Sequence, residues 1–181
     1  MAILPVIVIF SVLLSFFSNL FLSDAAHAAD LSAEGGFSFG AGSGANQLRS
    51  PSPVIGAEYT FNLAKGLKLG GFYDHTFLSY LDGGTGAIHF MGAVVRATLL
   101  DRGFVDLKAG LTKVVSDEVS INTVTTHVGL GAEVGVGYEF KLSEHVGLTP
   151  RIAARFLPDP STANGALRAT PYSSVMLAIH F

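Results

Sequence analysis

Residues 128–140 read VGLGAEVGVGYEF, and this stretch decides the fold. Successive side chains of a β-strand point to opposite faces, so alternate residues form two distinct walls. The first wall is apolar and ends in aromatics: Val128, Leu130, Ala132, Val134, Val136, Tyr138 and Phe140. The second wall is glycine with carboxylates and one histidine: His127, Gly129, Gly131, Glu133, Gly135, Gly137 and Glu139. A glycine and carboxylate wall suits a cramped, charged interior, and an apolar wall with terminal aromatics suits lipid. The stretch therefore predicts a strand of a transmembrane β-barrel.

The same alternation recurs along the chain, with turn residues between the segments. It predicts eight strands, at residues 33–42, 54–63, 67–76, 88–100, 104–114, 128–140, 146–156 and 172–181. Longer polar connections, among them residues 115–123, alternate with short turns, as in bacterial outer-membrane barrels. Because an open sheet edge would leave backbone groups unpaired in lipid, we expect an all-β, eight-stranded antiparallel up-and-down transmembrane β-barrel.

Two positions disturb the alternation. Val94 and Val95 are adjacent apolar residues, which predicts a β-bulge in the fourth strand. Pro150 falls inside the seventh strand, where it cannot donate a ladder hydrogen bond. We expect a local bulge near the periplasmic rim to accommodate this proline.

The amino-terminal segment is typical of an exported protein. Residues 3–22 carry no charge, and Ala26 and Ala28 form a small-x-small site of the kind that signal peptidase cleaves. We therefore expect a cleavable signal helix at residues 1–28, a barrel domain at residues 29–181, and location in the bacterial outer membrane. No Lys or Arg precedes the apolar run, which also exceeds the usual length, so an uncleaved anchor is the alternative.

Composition excludes several kinds of site. The 181 residues include no cysteine, which excludes disulfides, thiolate metal sites and a cysteine nucleophile. A formal net charge of −3 gives no indication of a nucleic-acid partner. No histidines have His-x-His or His-x-x-x-His spacing, and no glycine-rich loop opens a helix. The sequence therefore predicts neither a metal site nor a cofactor.

The interior wall of the predicted barrel collects charged residues of both signs: Glu34, Glu58, Lys68, Asp74, Arg96, Asp106, Lys108, Glu133, Glu139, Arg151 and Arg155. Five of them fall at a similar mid-barrel height: Glu58, Arg96, Lys108, Glu133 and Arg151. An eight-stranded barrel is just wide enough for its own side chains, and buried charges are normally paired. We predict that these five form a charge network that fills and closes the lumen. A narrow conduit for small polar solutes or ions is the alternative.

The exported amino terminus, the eight-strand meander and the last strand together carry a family resemblance. The chain resembles the small outer-membrane β-barrel superfamily, which includes the OmpA transmembrane domain, OmpX and Opa-type proteins. In that family, alternate apolar residues and a terminal aromatic form the signal read by the barrel assembly machinery. The matching residues here are Tyr172, Val175, Leu177, Ile179 and Phe181. The resemblance implies insertion among outer-membrane lipid and lipopolysaccharide, with the assembly machinery as a partner during biogenesis, and it indicates no surface partner.

A histidine-based hydrolase acting on outer-leaflet lipid is a further alternative. His75, His89 and His127 fall near the predicted outer rim. Acids and a serine lie beside them or in adjacent loops: Asp74, Asp82, Ser116, Asp117 and Glu118. However, His75 and His89 have lipid-facing parity, and the His-x-Ser pairing of lipid A deacylase barrels is missing at His127. We therefore predict no catalytic residues and no enzyme activity.

The function favoured by the sequence is a structural or surface-contact role in the outer membrane. One competing architecture is a soluble barrel of lipocalin type, whose strands would show the same alternation with the two faces exchanged. In that barrel the apolar wall of residues 128–140 would line a ligand cavity and the polar wall would contact water.

Overall fold

Nine β-strands are present in the computed structural model, which describes residues 29–39, 51–79, 83–99, 102–118, 123–158 and 167–180. They are β1 (Ala29–Ser38), β2 (Ser52–Ala64), β3 (Leu67–Ser79), β4 (Thr85–Leu99), β5 (Gly103–Glu118), β6 (Thr123–Tyr138), β7 (Phe140–Lys141), β8 (Val146–Pro158) and β9 (Leu167–His180). All pairs are antiparallel, β1 pairs with both β2 and β9, and β6 pairs with β8. The sheet therefore closes into a ring. The two-residue β7 continues the pairing of β6 with β8, so the predicted eight-stranded antiparallel barrel is confirmed.

The two ends of the barrel differ in their connections. Residues 65–66, 100–102 and 142–145 link strands at one end, where Ala29 and His180 also lie, and we call this the turn end. At the other end, which we call the loop end, strands end at Ser38, Ser79, Glu118 and Pro158 and begin at Ser52, Thr85, Thr123 and Leu167.

Several predicted features fall outside the described residues. They are the signal helix at residues 1–28 with Ala26 and Ala28, the distal ends of the first and fourth predicted strands, and Phe181. Within the described ranges, no helix combines the length and the hydropathy needed to cross a bilayer.

The strands after β1 are longer than the alternation predicts, and β1 has the predicted length but begins four residues earlier, at Ala29. The predicted polar loop at residues 115–123 is wrong, because β5 extends to Glu118 and β6 begins at Thr123, and these two residues pair. Ladder hydrogen bonds need only the backbone, so polar residues can extend a hairpin beyond its apolar part.

The apolar wall of each strand faces outward and the polar wall faces the lumen, as a membrane barrel requires. The Leu130 side chain is 72% exposed on the outside, and Glu133 is 0% exposed on the inside. Ile152 and Leu111 are also exposed on the outer surface. The lipocalin-type arrangement requires the opposite assignment, since its apolar wall would be the buried one.

The predicted bulge at Val94 and Val95 is absent. Both residues pair in continuous register with β3 and with β5. Val94 is buried inside the barrel, whereas Val95 is exposed on the lipid-facing wall. Both walls accept an apolar side chain at this level, so the adjacent valines need no extra residue. A register shift occurs instead in β2, between Asn62 and Ala64, next to the turn at residues 65–66.

Pro150 is accommodated by a gap in the ladder and not by the predicted bulge. On one side Pro150 pairs with Val175 of β9 in continuous register. On the other side the pairing with β6 ends at Gly137 and Arg151, and it resumes in the same register between Phe140 and Leu148. A proline has no N–H to donate, so the ladder is interrupted there without a change of register.

Candidate functional site in the barrel lumen

Among the residues that the structure describes, nine charged side chains that are each at most 8% exposed converge inside the barrel, apart from the equally buried Asp30 near the turn end. We call them the lumen network: Glu34, Glu58, Asp74, Arg96, Asp106, Lys108, Glu133, Arg151 and Arg155. The alternation of each strand turns these residues inward, while the ring prevents water from reaching them from the side. Because unpaired buried charges are costly, the partners of each group decide whether the arrangement stabilises the barrel.

The five residues that the sequence places at mid-barrel height are linked in the structure by ion pairs. Arg96 Nη2 lies 2.6 Å from Glu58 Oε1, and Lys108 Nζ lies 3.5 Å from Glu58 Oε2. Lys108 Nζ also lies 3.9 Å from Glu133 Oε1, and Glu133 in turn pairs with Arg151. The five side chains therefore form one continuous sequence of opposite charges.

Two further ion pairs cross the whole lumen. Lys108 Nζ of β5 lies 3.0 Å from Glu34 Oε2 of β1, and Arg155 Nη2 of β8 lies 2.5 Å from Asp74 Oδ2 of β3. In the closed ring, β5 is four strands from β1 in either direction, and β8 is four strands from β3. These are the diametrically opposite strands, so the two pairs extend across the full width of the interior.

Arg151 contacts three acids of the lumen network, two of them through hydrogen bonds. Its Nε donates to Asp106 Oδ2 at 2.9 Å, and its Nη2 donates to Asp106 Oδ1 at 2.6 Å, which is a bidentate arrangement. Nη2 also donates to Glu133, and Nη1 lies 3.6 Å from Glu34 Oε1. The guanidinium therefore connects acids of three strands.

Gly135 provides the space for this contact. A Cβ built at Gly135 would overlap the Arg151 guanidinium and the Asp106 carboxylate. The glycine wall of β6 thus has a specific role at this position, since any side chain would displace the bidentate pair.

Two predicted interior charges lie apart from the lumen network. Lys68 pairs with Asp30, and both residues lie near the turn end. Glu139 is half-buried in the short interval between β6 and β7. Distance from the strand ends did not place Glu34, Asp74, Asp106 and Arg155 at mid-barrel height, although their strand parity places them inside.

Apolar side chains also pack inside the lumen, and the sequence analysis did not predict them. Phe72, Phe90, Val94 and Leu157 form one buried cluster, and the Phe72 and Phe90 rings meet edge to face. A second cluster nearer the loop end consists of Leu78 and Val114, with Ile88 packed against both clusters. The signal was present in the sequence, because Phe72 and Phe90 have the same strand parity as the inward-facing charges.

Aromatic rings also contact the cations of the lumen network. Lys108 Nζ lies 5.0 Å from the centroid of the Phe72 ring, and the Arg96 guanidinium carbon lies 4.3 Å from the centroid of Phe104. A ring face attracts a cation, so the contact between Lys108 and Phe72 joins the first apolar cluster to the lumen network.

The histidines considered for catalysis are not grouped with an interior acid. His75 and His89 lie on the outer wall and contact each other through their Nδ1 atoms at 3.4 Å. Asp74 points inward and pairs with Arg155. The positions of Asp82 and of the side chains of His127, Ser116, Asp117 and Glu118 lie outside what the structure describes. Across the described ranges, no three His, Cys, Asp or Glu side chains group as a metal site.

The predicted assembly signal is partly described. Val175 and Leu177 are exposed on the outer wall, on either side of the buried Met176. Phe181 and the side chains of Tyr172 and Ile179 lie outside the described set.

No protein-family model matches the chain, and no curated protein matches it in sequence. Solved structures do match it. The amino-terminal β-barrel domain of Pseudomonas aeruginosa OprF has a TM-score of 0.54 at 11% identity, over 86% of this chain and 98% of that one. Neisserial surface protein A has a TM-score of 0.53 at 13% identity, over 85% of this chain and 96% of that one. Ail of Yersinia pestis has a TM-score of 0.51 at 9% identity, over 84% of this chain and 95% of that one.

These likenesses extend over nearly the whole length of the solved barrels, and they concern architecture, since the identities are low. The ring of antiparallel strands, the apolar outer wall and the charged interior are found together in the described part of this chain. The chain has the fold of the small eight-stranded outer-membrane β-barrels.

Proposed function

We propose that this protein is a bacterial outer-membrane β-barrel with a structural or surface-contact role, whose lumen is closed by its own side chains and which is not an enzyme. The observation that carries the proposal is the pair of ion contacts across the lumen, Lys108 to Glu34 and Arg155 to Asp74. Side chains that meet from opposite walls occupy the lumen at their level, which supports a closed lumen. The fold of the solved outer-membrane barrels supports the location.

The lumen network supports a structural role because of how its charges are used. Each cation contacts at least two acids, and Lys108 lies within 4.0 Å of four of them. A transported ion would have to displace these partners, and a general acid or base would have to leave them. The ion pairs of the lumen network instead fix the relative positions of strands that share no backbone hydrogen bonds.

The loop end is the part of the molecule that the proposal assigns to surface contact. Longer connections face outward in bacterial barrels of this kind, and Ala29 and His180 then lie on the periplasmic side. Ail, one of the solved barrels with this fold, is named as an attachment invasion locus protein. That name concerns Ail, and it makes attachment a role to test here through the loops.

The proposal is tested by refolding the protein into phospholipid vesicles and following gel mobility in SDS with and without boiling. A closed barrel should migrate faster until it is heated. The same vesicles, fused with a planar bilayer, should show no steady conductance. Protein that remains soluble without detergent would contradict the membrane location, and a steady open channel would contradict the closed lumen.

A matched variant shows whether the ion pairs themselves block the lumen. Asp74→Ser combined with Arg155→Ser removes both ends of one cross-lumen pair and shortens both side chains. We expect the double variant to conduct more than the unmutated protein in the same bilayer. If the double variant folds and shows no conductance, like the unmutated protein, the apolar clusters and not the ion pairs close the lumen.

A further inference from the structure

The outer wall of the barrel carries a small group of side chains that the lumen network does not use. Tyr73 Oη lies 2.8 Å from His89 Nδ1, and His75 Nδ1 lies 3.4 Å from the same His89 atom. Lys113 is directly opposite His89 in the register between β4 and β5. Four polar side chains of three adjacent strands therefore share one patch of a wall that is otherwise apolar.

The grouping is selective. Among outward-facing strand residues whose side chains the structure describes, His75, His89 and Lys113 are the ones that can carry a positive charge, and all three lie in this patch. Charges scattered over a lipid-facing wall would be costly wherever they met hydrocarbon. Their concentration at one place indicates a local partner for positive charge.

The height of the patch matches the outer boundary of the membrane. Strands rise by about 3.3 Å per residue and tilt by about 40°, so each residue climbs roughly 2.5 Å along the membrane normal. His89 is ten residues from Leu99, and Lys113 is ten residues from Gly103, the residues that end and begin their strands at the turn end. Both therefore lie about 25 Å above the turn end, which equals the usual height of the apolar band.

The hydrogen-bond pattern leaves donors available to a ligand. The two imidazoles turn their Nδ1 atoms toward each other and toward Tyr73, and in the described residues neither Nε2 has a protein partner. Lys113 has no acidic partner there either, and its side chain is exposed. Met91 and Leu111 lie next to His89 and Lys113 on the side of the turn end, and both are exposed on the apolar outer wall. Imidazole N–H groups and a lysine ammonium above an apolar wall complement a phosphate group above acyl chains.

We propose that Tyr73, His75, His89 and Lys113 bind the phosphate of a lipid in the outer leaflet of the outer membrane, with the acyl chains of that lipid against Met91 and Leu111. The inference rests on the proposed function, since it requires the loop end to face outward in a bilayer. Lys113 and the Nε2–H groups would contact the phosphate oxygens, while Tyr73 and the Nδ1 contacts orient the two rings.

The experiment compares lipids around the unmutated protein. The barrel is refolded into phosphatidylcholine vesicles that contain diphosphorylated lipid A, or lipid A with the same acyl chains and its phosphates removed. Its unfolding equilibrium is then measured by gel mobility across a urea series. We expect the phosphorylated lipid to lower the unfolding equilibrium constant by about tenfold relative to the dephosphorylated lipid. Free inorganic phosphate added to phosphatidylcholine vesicles should not reproduce this shift.

A variant and a control locate the effect. His75→Phe, His89→Phe and Lys113→Leu together should abolish the phosphate-dependent shift, whereas Lys141→Leu, which removes an exposed charge at the turn end, should retain it. If the triple variant does not fold, the lipid comparison on the unmutated protein still decides the proposal.

Four results would overturn the inference. A folded barrel with equal stability in both lipids would remove the site and leave the proposed function standing. An equal shift from free phosphate, or a stabilisation by zinc chloride that replaces the lipid effect, would assign the patch to another ligand. Failure of the unmutated protein to enter vesicles would remove the proposed function and this inference with it.

Discussion

Replacing Arg151 by methionine tests whether the lumen network stabilises the barrel. The substitution removes a bidentate contact with Asp106 and a further contact with Glu133, and it leaves a side chain of similar length in the lumen. After the change, Asp106 keeps only a 3.4 Å contact with Arg96, while Glu133 keeps its contact with Arg155. One buried carboxylate thus loses its main partner.

The expected loss is about 3–5 kcal/mol of unfolding free energy, because removing one member of a buried ion pair leaves an uncompensated charge. The three hydrogen bonds considered separately would suggest more, since each bond to a charged group contributes roughly 1.5–3 kcal/mol. We expect the loss of about 3–5 kcal/mol and not the larger sum, because the remaining cations can move toward the acids that lose Arg151. No steady conductance should appear, since the contacts from Lys108 to Glu34 and from Arg155 to Asp74 are left in place.

Urea unfolding in lipid vesicles, followed by circular dichroism, measures this loss. Lys65→Met, a charge removal in an exposed turn, is the matched control and should change stability by less than about 0.5 kcal/mol. The double variant Arg151→Met with Asp106→Asn should lose less unfolding free energy than the sum of the losses in the two single variants, by at least about 1 kcal/mol. A loss below about 1 kcal/mol for Arg151→Met, or strict additivity with Asp106→Asn, would refute the stabilising role of the network.

The inward-facing glycines and the outer, lipid-facing wall give three further predictions. Gly135→Ala should destabilise the barrel by about 1–3 kcal/mol in the same titration, because the new Cβ overlaps the Arg151 guanidinium, whereas Gly35→Ala, whose Cβ meets nothing within 4 Å, should be nearly neutral. The chain contains no tryptophan, so Leu130→Trp provides a single fluorophore that brominated lipid chains should quench, and emission insensitive to bromine would contradict the outward assignment. Val134→Arg puts a charge on the lipid wall about 10 Å above the turn end and should cost about 2–4 kcal/mol, so a negligible cost would argue that water contacts this wall.

Strand parity was the part of the fold that could be predicted from the sequence. A residue such as Glu133 has the same inward direction wherever its strand begins, because the period of two is a property of the backbone. Strand ends were harder to predict, as the extension of β5 to Glu118 shows. Beyond the hydrocarbon a hairpin continues on backbone hydrogen bonds alone, and these leave no pattern in the side chains.

The composition of the lumen network was only partly predictable for a different reason. Height measured along each strand grouped Lys108 with Glu58 and Glu133, but it separated Lys108 from Glu34, whose carboxylate lies closer to it. Contacts across a barrel depend on the stagger between opposite strands and on side-chain length. Neither quantity can be obtained from a single strand, so pairs between opposite walls require the closed structure.

The cross-lumen pairs also connect stability to closure of the ring. Lys108 and Glu34 belong to strands that share no backbone hydrogen bond, as do Arg155 and Asp74. An open or partly formed sheet in lipid would separate Lys108 from Glu34 and Arg155 from Asp74, and it would also leave the N–H and C=O groups of its two edges unpaired. Closing the ring satisfies both sets of groups in one step, so the lumen network penalises incomplete barrels more than it stabilises any single strand pair. The network therefore acts chiefly on the cooperativity of folding, and disruption of one cross-lumen pair should lower the unfolding free energy of the closed barrel without creating a stable open form of the sheet.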